Sequence, residues 1–349
     1  MRHPGRGHCQ RPRGARGGTR LIGVRHLARL VATPQRRRVV TGALFALLTA
    51  GASVLVARRL TTSSWPLDHV RPDLTAAAAL SYLASFVFRA RAWHRLFPPD
   101  ECPGQGRCLA SVGAAAASGA ILPFRLDYLI KVAVLRKFAG IRIGLGAIVL
   151  SIVSLGLIDA IAMLPLSISA TATSDSVLRG PLLIVVVFGV ACCTLLVLGR
   201  RLMRVPVLSW SRQLRVLGEH VARHTERGGR RSAVVAWCYL FACWSSRAFG
   251  SAVLLSALGL SFSPEAALTV ICLGAAAGVV PITSGGAVVN AGAAAGILLA
   301  LGVSKNIAIN FSLASGLLLV LCALAASACG VSASLASSAL TRQRALRVT

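Results

Sequence analysis

Acidic side chains are scarce in this chain: 10 Asp+Glu stand against 38 Lys+Arg, a formal charge of +28 over 349 residues. Charged residues of either sign reach only 14%, where a soluble domain carries about 25%. Aromatics amount to 5%, so a stacking platform for bases is missing and the basic charge is not read as a nucleic-acid face. Walker, G-x-S-x-G and H-E-x-x-H motifs are all missing, and with them any sign of a soluble catalytic domain. The seven His are scattered. Of the ten cysteines, Cys192, Cys193, Cys238, Cys243, Cys272, Cys322 and Cys329 sit inside apolar runs as small hydrophobes. Cys102 and Cys108 flank a short loop without a second pair to complete a zinc pattern. No metal, cofactor or enzymatic activity is expected.

What the chain has instead is apolar length. Hydrophobic residues make up 55%, and they come in runs long enough to span a bilayer. Val39–Ala57 exceeds a signal-peptide core and reads as a signal anchor. Further spans are expected at Leu74–Phe88, Gly144–Ile168, Leu182–Leu198, Ala233–Ala257 and Ile307–Cys329. Two more apolar stretches are broken: Leu109–Ala139 by Pro123-Phe124-Arg125-Leu126-Asp127, and Ala266–Leu301 by Pro281-Ile282-Thr283-Ser284-Gly285-Gly286. Small residues crowd their first halves, which lets helix backbones approach closely. Irregular backbone at membrane depth survives only against protein or a wet cavity. Both stretches are therefore read as re-entrant hairpins or broken helices.

The expected fold is an all-α integral membrane protein with about six full spans and two hairpins. Residues 1–38, with eleven Arg and no acid, read as a disordered cytoplasmic arm. Residues 39–330 form the transmembrane domain and 331–349 a short basic tail. With the N-terminus in the cytoplasm, inner segments hold 32 of the 38 Lys+Arg, as the positive-inside rule asks. Both termini and residues 200–231 are then cytoplasmic, in the inner membrane. Within 206–227, Trp210, Leu214, Leu217 and Val221 recur at helical spacing. That stripe fits an interfacial amphipathic helix or a loop helix packed on the bundle. The basic segments are expected to meet anionic lipid headgroups.

The two broken stretches match one another. After the first, GIRIGLGAIVLSIVS covers residues 140–154; after the second, GVSKNIAINFSLAS covers 302–315. With one gap, Gly140 aligns with Gly302, Ala147 with Ala308, Ser151 with Ser312 and Ser154 with Ser315. In the expected topology the hairpins enter from opposite sides, so the repeats are inverted. Inverted repeats with broken helices are the architecture of secondary transporters, whose site lies near the midplane.

Ionisable groups at membrane depth are costly and are functional candidates by default. Asp159 lies deep in its span and Arg247 about four turns into its own. The two are expected to pair, either as a buried ion pair fixing register or as a headgroup or proton site. Asp127, with Arg125 and Lys131 nearby, sits in the first break, placed to orient a zwitterionic headgroup. Ser284, Gly285, Gly286 and Asn290 line the second break, where free backbone N–H groups suit a phosphate.

At these residues the chain resembles a known family. LPFRLDYLIKVAVLRKFAGI, residues 122–141, looks like the LP-x-R-x-GE-x-x-R segment of the lysylphosphatidylglycerol synthase transmembrane (flippase) family. Asp159 matches the Asp ending that family's E-R-x-x-D segment. VPITSGGAVVNAG, residues 280–292, resembles its P-x-x-PGG-x-G-x-x-E-A stretch, LALGVSKNIAI its continuation, and RAWHRLF its R-x-x-RW element. There are departures. The family's Gly-Glu is Leu126-Asp127, its next Arg is Lys131, its Glu-Arg is Leu155-Gly156, the PGG proline is lost, and Asn290 stands near its Glu. The resemblance implies a divergent member without the synthase domain, related to flippases of aminoacylated phosphatidylglycerol and to proteins acting near lipid-linked glycans. The expected function is translocation of an anionic or aminoacylated phospholipid, or of a polyprenyl-linked lipid. The alternative is a membrane scaffold or regulator partnering a lipid- or glycan-modifying enzyme.

Overall fold

Proline and glycine cut the apolar runs into helices. The computed structural model describes residues 71–97, 101–121, 126–138, 143–174, 176–202, 212–279 and 286–348, all within the unit Thr49–Thr349. Among them are ten helices and no strand. We number these α1 (Pro72–Arg95), α2 (Gln105–Ile121), α3 (Asp127–Phe138), α4 (Leu145–Ala162), α5 (Leu164–Thr173), α6 (Ser176–Leu202), α7 (Arg212–Ala257), α8 (Pro264–Val279), α9 (Gly286–Ala300) and α10 (Lys305–Val348). Pro72 and Pro264 open α1 and α8, where a missing N–H costs nothing. Pro165 follows the α4–α5 joint at Met163; its ring and absent donor explain the break in an otherwise continuous span. Gly259 and Gly302 take positive φ, +92° and +78°. Each is the left-handed cap of a Schellman end, with Leu260 N–H bonded to Leu255 O and Val303 N–H to Leu298 O.

Four helical stretches are long and apolar enough to cross a membrane: Leu145–Thr173, Val177–Leu196, Arg231–Ala257 and Lys305–Ser337. They coincide with four of the expected spans. Large apolar side chains such as Val177, Ile184, Val187 and Leu321 point outward, an arrangement suited to lipid rather than water. The expected span 74–88 is the middle of α1, a helix of 24 residues that continues to Arg95. The Val39–Ala57 anchor and the basic arm 1–38 lie outside the described residues.

The first broken stretch folds back on itself, and the two arms of the second also pack together. Within α2 and α3, Ser111 Oγ donates to Lys131 O at 2.7 Å, and a Cβ on Gly119 would lie 3.2 Å from the Asp127 Cβ. The arms therefore run antiparallel. At 17 and 12 residues, they are about 25 and 18 Å long, short of the roughly 30 Å hydrocarbon core. Helices α8 and α9, of 16 and 15 residues, likewise pack on one another. Two boundaries differ from expectation. The segment from 212 is not separate but runs without a stop into the following span as α7. Residues 331–348 likewise extend α10, because no Gly or Pro follows Gly330 to end it.

The packing repeats itself. Helix α1 packs on α2, α4 and α10; α7 packs on α8, α10 and α4. Helix α2 lies on α10, and α8 on α5. Exchanging α1 with α7, α2 with α8, α3 with α9 and α4–α5 with α10 maps each of these contacts onto another, whereas the packing of α9 on α10 and on α2 has no counterpart of similar extent. At the centre α1 and α7 run antiparallel: Tyr82 meets Ser251, Ser85 meets Arg247, and Phe88 meets Tyr239. Two equivalent helices that are antiparallel belong to inverted halves. The aligned serines agree, since Ser151 and Ser312 are both buried and bond back to Ile148 O and Ala308 O.

Small residues bring α2 and α10 together, as the sequence suggested. A Cβ on Gly330 would lie 2.3 Å from Ala110 N, and one on Gly113 would lie 2.5 Å from Ala323 O. Ser327 Oγ donates to Ala110 O at 3.2 Å. Charge also segregates by end. Leu96, Phe97, Cys102, Ile143 and Ala326 pack near one end with Arg91, Arg95, Arg107, Arg136 and Arg231 in the adjoining turns. Leu74, Leu258, Leu260, Ala266 and Val303 pack at the other, near Arg71, Arg179 and Lys305.

Candidate functional site

A charged cluster lies in the α1–α7 seam, where α4 closes over it. Apolar periodicity places Phe86, Ala90 and Trp93 of α1 in the core, and Arg89 is carried inward beside them. Its Nη2 donates to Asp159 Oδ2 of α4 at 2.6 Å. The second carboxylate oxygen accepts Trp244 Nε1–H of α7 at 2.7 Å. Each oxygen of this carboxylate thus accepts one hydrogen bond. The pair is not sealed: 21% of the Arg89 side chain and 15% of the Asp159 side chain remain exposed.

Two further cations border this pair. The Arg247 guanidinium carbon lies 5.1 Å from the Trp244 ring centroid and 5.4 Å from that of Phe86, and its Nε donates to Ser85 Oγ at 3.2 Å. Arg89 shares the same indole from 5.8 Å. Lys131, from α3, is buried, with Nζ 4.7 Å from the Trp93 ring. Trp93 is one turn beyond Arg89 and is fixed by donating Nε1–H to Ser151 Oγ at 2.9 Å. Aromatic faces stabilise cations but do not neutralise them. Among the described residues neither Lys131 nor Arg247 has a carboxylate within salt-bridge distance. The cluster therefore carries three basic groups around Asp159, with Asp127 one turn from Lys131 at its edge.

The expected Asp159–Arg247 pair is corrected here. Asp159 does form an ion pair, part-buried, but with Arg89. Arg247 points instead at Ser85 and two rings, because antiparallel register sets it opposite Ser85 on α1. Asp127 opens α3, half-buried, one turn before Lys131. Lys131 is brought into one electrostatic neighbourhood with Arg89, Asp159 and Asp127. Gly286 and Asn290 are placed as backbone of the first two turns of α9, while Arg125, Ser284 and Gly285 lie outside the described residues. Sequence reasoning missed Arg89, which it counted among the cytoplasmic charges beyond the span. The signal was present: Arg89 falls four residues before Trp93, on the apolar face of a helix that continues to Arg95.

The family's own model matches residues 38–327, most of the chain. The chain belongs to the lysylphosphatidylglycerol synthase transmembrane-region family. No curated protein and no solved structure matches it. Membership of the family fits the multi-pass helical architecture and ties the chain to membrane-lipid function. The match brackets all nine residues singled out in the sequence, and Arg89 and Trp244 besides.

Proposed function

We propose that this chain is a non-enzymatic lipid translocator of the cytoplasmic membrane. It moves the headgroup of an anionic or aminoacylated phospholipid, or of a polyprenyl-linked lipid, between leaflets. The observation that carries this reading is the Arg89–Asp159–Arg247–Lys131 cluster, set between helices of two inverted halves and partly open. A headgroup crossing about 30 Å of hydrocarbon must exchange its hydration for protein groups. The cluster offers those groups inside the bundle while the acyl chains stay in lipid. The ends of the bundle differ in charge, and the more basic one, with both termini and residues 200–231, is assigned to the cytoplasm. With no nucleotide motif in the sequence, movement is expected without ATP. The basic segments are assigned to anionic headgroups of the inner leaflet.

The test is reconstitution of the full chain in vesicles with labelled phosphatidylglycerol, lysyl-phosphatidylglycerol and polyprenyl phosphate. Leaflet-selective chemistry then reads each flip rate with and without an imposed proton gradient. Protein-dependent movement of one lipid, reduced in Arg247→Gln, is the expected result. Rates equal to protein-free vesicles for all three would favour a scaffold that partners a lipid- or glycan-modifying enzyme.

A further inference from the structure

The two central helices carry the same short pattern. ASFVFRA covers residues 84–90 of α1, and ACWSSRA covers residues 242–248 of α7. The offset that takes Pro123 to Pro281 also takes Arg89 to Arg247, Phe86 to Trp244 and Ser85 to Cys243. Contacts across the seam obey the same exchange. Arg247 lies over the Phe86 ring at 5.4 Å, and Arg89 over the Trp244 ring at 5.8 Å. Arg247 Nε donates to Ser85 Oγ at 3.2 Å, and Arg89 has the Cys243 thiol beside it. Arg89 and Arg247 are therefore equivalent positions of the inverted halves, and they are electrostatic neighbours. Ser85, opposite Arg247, lies four residues before Arg89, so the two positions are staggered along the seam by about 6 Å, one helical turn. Arg89 is the one nearer the basic end.

Asp159 breaks this equivalence. It holds Arg89 at 2.6 Å, but the offset that takes Ser151 to Ser312 puts Val320 at its counterpart on α10. Half-buried Arg247 has no carboxylate within salt-bridge distance among the described residues, and its terminal nitrogens have no acceptor there. These nitrogens are not sealed, since the one sealed and unsatisfied side-chain atom among the described residues is Glu101 Oε2. Lys131 lies on Trp93 with Asp127 one turn before it and takes no part in this pairing. Two equivalent guanidinium seats thus share one carboxylate, and Asp159 is an electrostatic neighbour of both. A guanidinium stays charged, and a charge at membrane depth needs a partner. We infer that the anionic group of the headgroup takes whichever seat Asp159 does not hold: Arg247 in this state, and Arg89 in the alternate state, where Asp159 has moved to Arg247. Trp244 donates to Asp159 at 2.7 Å and has both guanidinium groups at its ring, so the carboxylate changes partner on one indole N–H. The anion advances one helical turn while neither arginine is left bare. Each seat is a planar fork for two oxygens of one anionic group. This deepens the translocator reading and rests on it for the exchange between states.

Binding is measured on the purified full chain in detergent, by thermal melting against the concentration of short-chain phosphatidylglycerol, lysyl-phosphatidylglycerol or polyprenyl phosphate. At least one of the three should bind the wild type, and Arg247→Gln should weaken it about tenfold or more, the worth of one charge-assisted hydrogen bond. Asp159→Asn/Arg247→Gln, which removes one charge of each sign, should regain most of that loss, because Arg89 is then free to take the anion. Arg89→Met/Asp159→Leu keeps the Arg247 seat and should bind like the wild type. Its flip rate in vesicles should nevertheless fall to the protein-free value, because the second seat is gone. The assignment is overturned if none of the three lipids binds, or if Arg247→Gln binds like the wild type. It is equally overturned if Asp159→Asn/Arg247→Gln stays as weak as Arg247→Gln, or if Arg89→Met/Asp159→Leu binds weakly or still moves lipid. A wild type that moves lipid while the rescue of binding fails loses the shared carboxylate and keeps the translocator reading. Rescue of binding in a chain that moves no lipid does the reverse.

Discussion

Asp159 of α4 is clamped from two sides, Arg89 Nη2 on one oxygen at 2.6 Å and Trp244 Nε1–H on the other at 2.7 Å. One carboxylate thus ties α4 to both central helices of the inverted halves. Its first role is structural, and it is also the charge that lets Arg89 stay inside the bundle.

Removing that charge should destabilise the bundle. Asp159→Asn leaves Arg89 beside Arg247 and Lys131 with nothing to oppose it, a loss on the order of 3–5 kcal/mol for a broken buried pair. In detergent this appears as a clear fall in melting temperature. The double variant Arg89→Met/Asp159→Leu should recover most of it, since two apolar groups replace two charges. A melting curve for Asp159→Asn that overlays the wild type would show that the pair contributes little.

The small-residue contact between α2 and α10 gives a second test. A Cβ on Gly330 or Gly113 meets backbone atoms at 2.3 and 2.5 Å, so nothing flexible can yield. Gly330→Ala and Gly113→Ala should each cost about 1–3 kcal/mol by overpacking. Gly316→Ala is the control: nothing lies within 4 Å of its Cβ, and it should be neutral or slightly stabilising. If all three melt alike, the close approach is not sustaining the fold.

The orientation is open to labelling. In a Cys-less background, Thr173→Cys and Ser304→Cys should react with an impermeant thiol reagent in intact cells, and Arg231→Cys should not. All three positions are exposed in the fold, so access depends on the side of the membrane. Labelling of Arg231→Cys from outside would invert the topology.

Much of this architecture was legible because membrane insertion leaves a coarse signature. Four spans, two broken stretches and the Ser151/Ser312 correspondence follow from run length, breaks and spacing. The site was half legible. Asp159, Arg247 and Lys131 stood out as ionisable residues in apolar surroundings, and the fold draws them together around Arg89. The pairing itself was not readable, because partner choice depends on the register between α1 and α7, and no local pattern encodes that. Arg89 was hidden for a related reason: at the end of an apolar run, an inward arginine and an interfacial one look the same in sequence. The continuity of α7 through Gly228–Gly229 was likewise invisible, since paired glycines more often end a helix than sit within one.

The last prediction separates a transporter from a scaffold. The central contacts of the two halves correspond, but their outer contacts differ in extent. Helix α2 meets α10 backbone to backbone along Gly106, Gly113 and Gly330. Its counterpart, α8 on α5, is joined near the opposite end by Ser174 and Thr269 at 3.3 Å between hydroxyls. In an inverted-repeat carrier such asymmetry marks one of two states, and the other state exchanges the tight and the loose contact. Cysteines at Ala110 and Ser327, in the Cys-less background, stand across the tight contact. Oxidising them should stop lipid movement, and a reducing agent should restore it, with the melting temperature unchanged or raised in the locked form. A rigid scaffold needs no exchange, so its partner binding would be indifferent to the lock. Flip rates that persist with the disulfide fully formed would refute alternating access through this contact, whatever the headgroup.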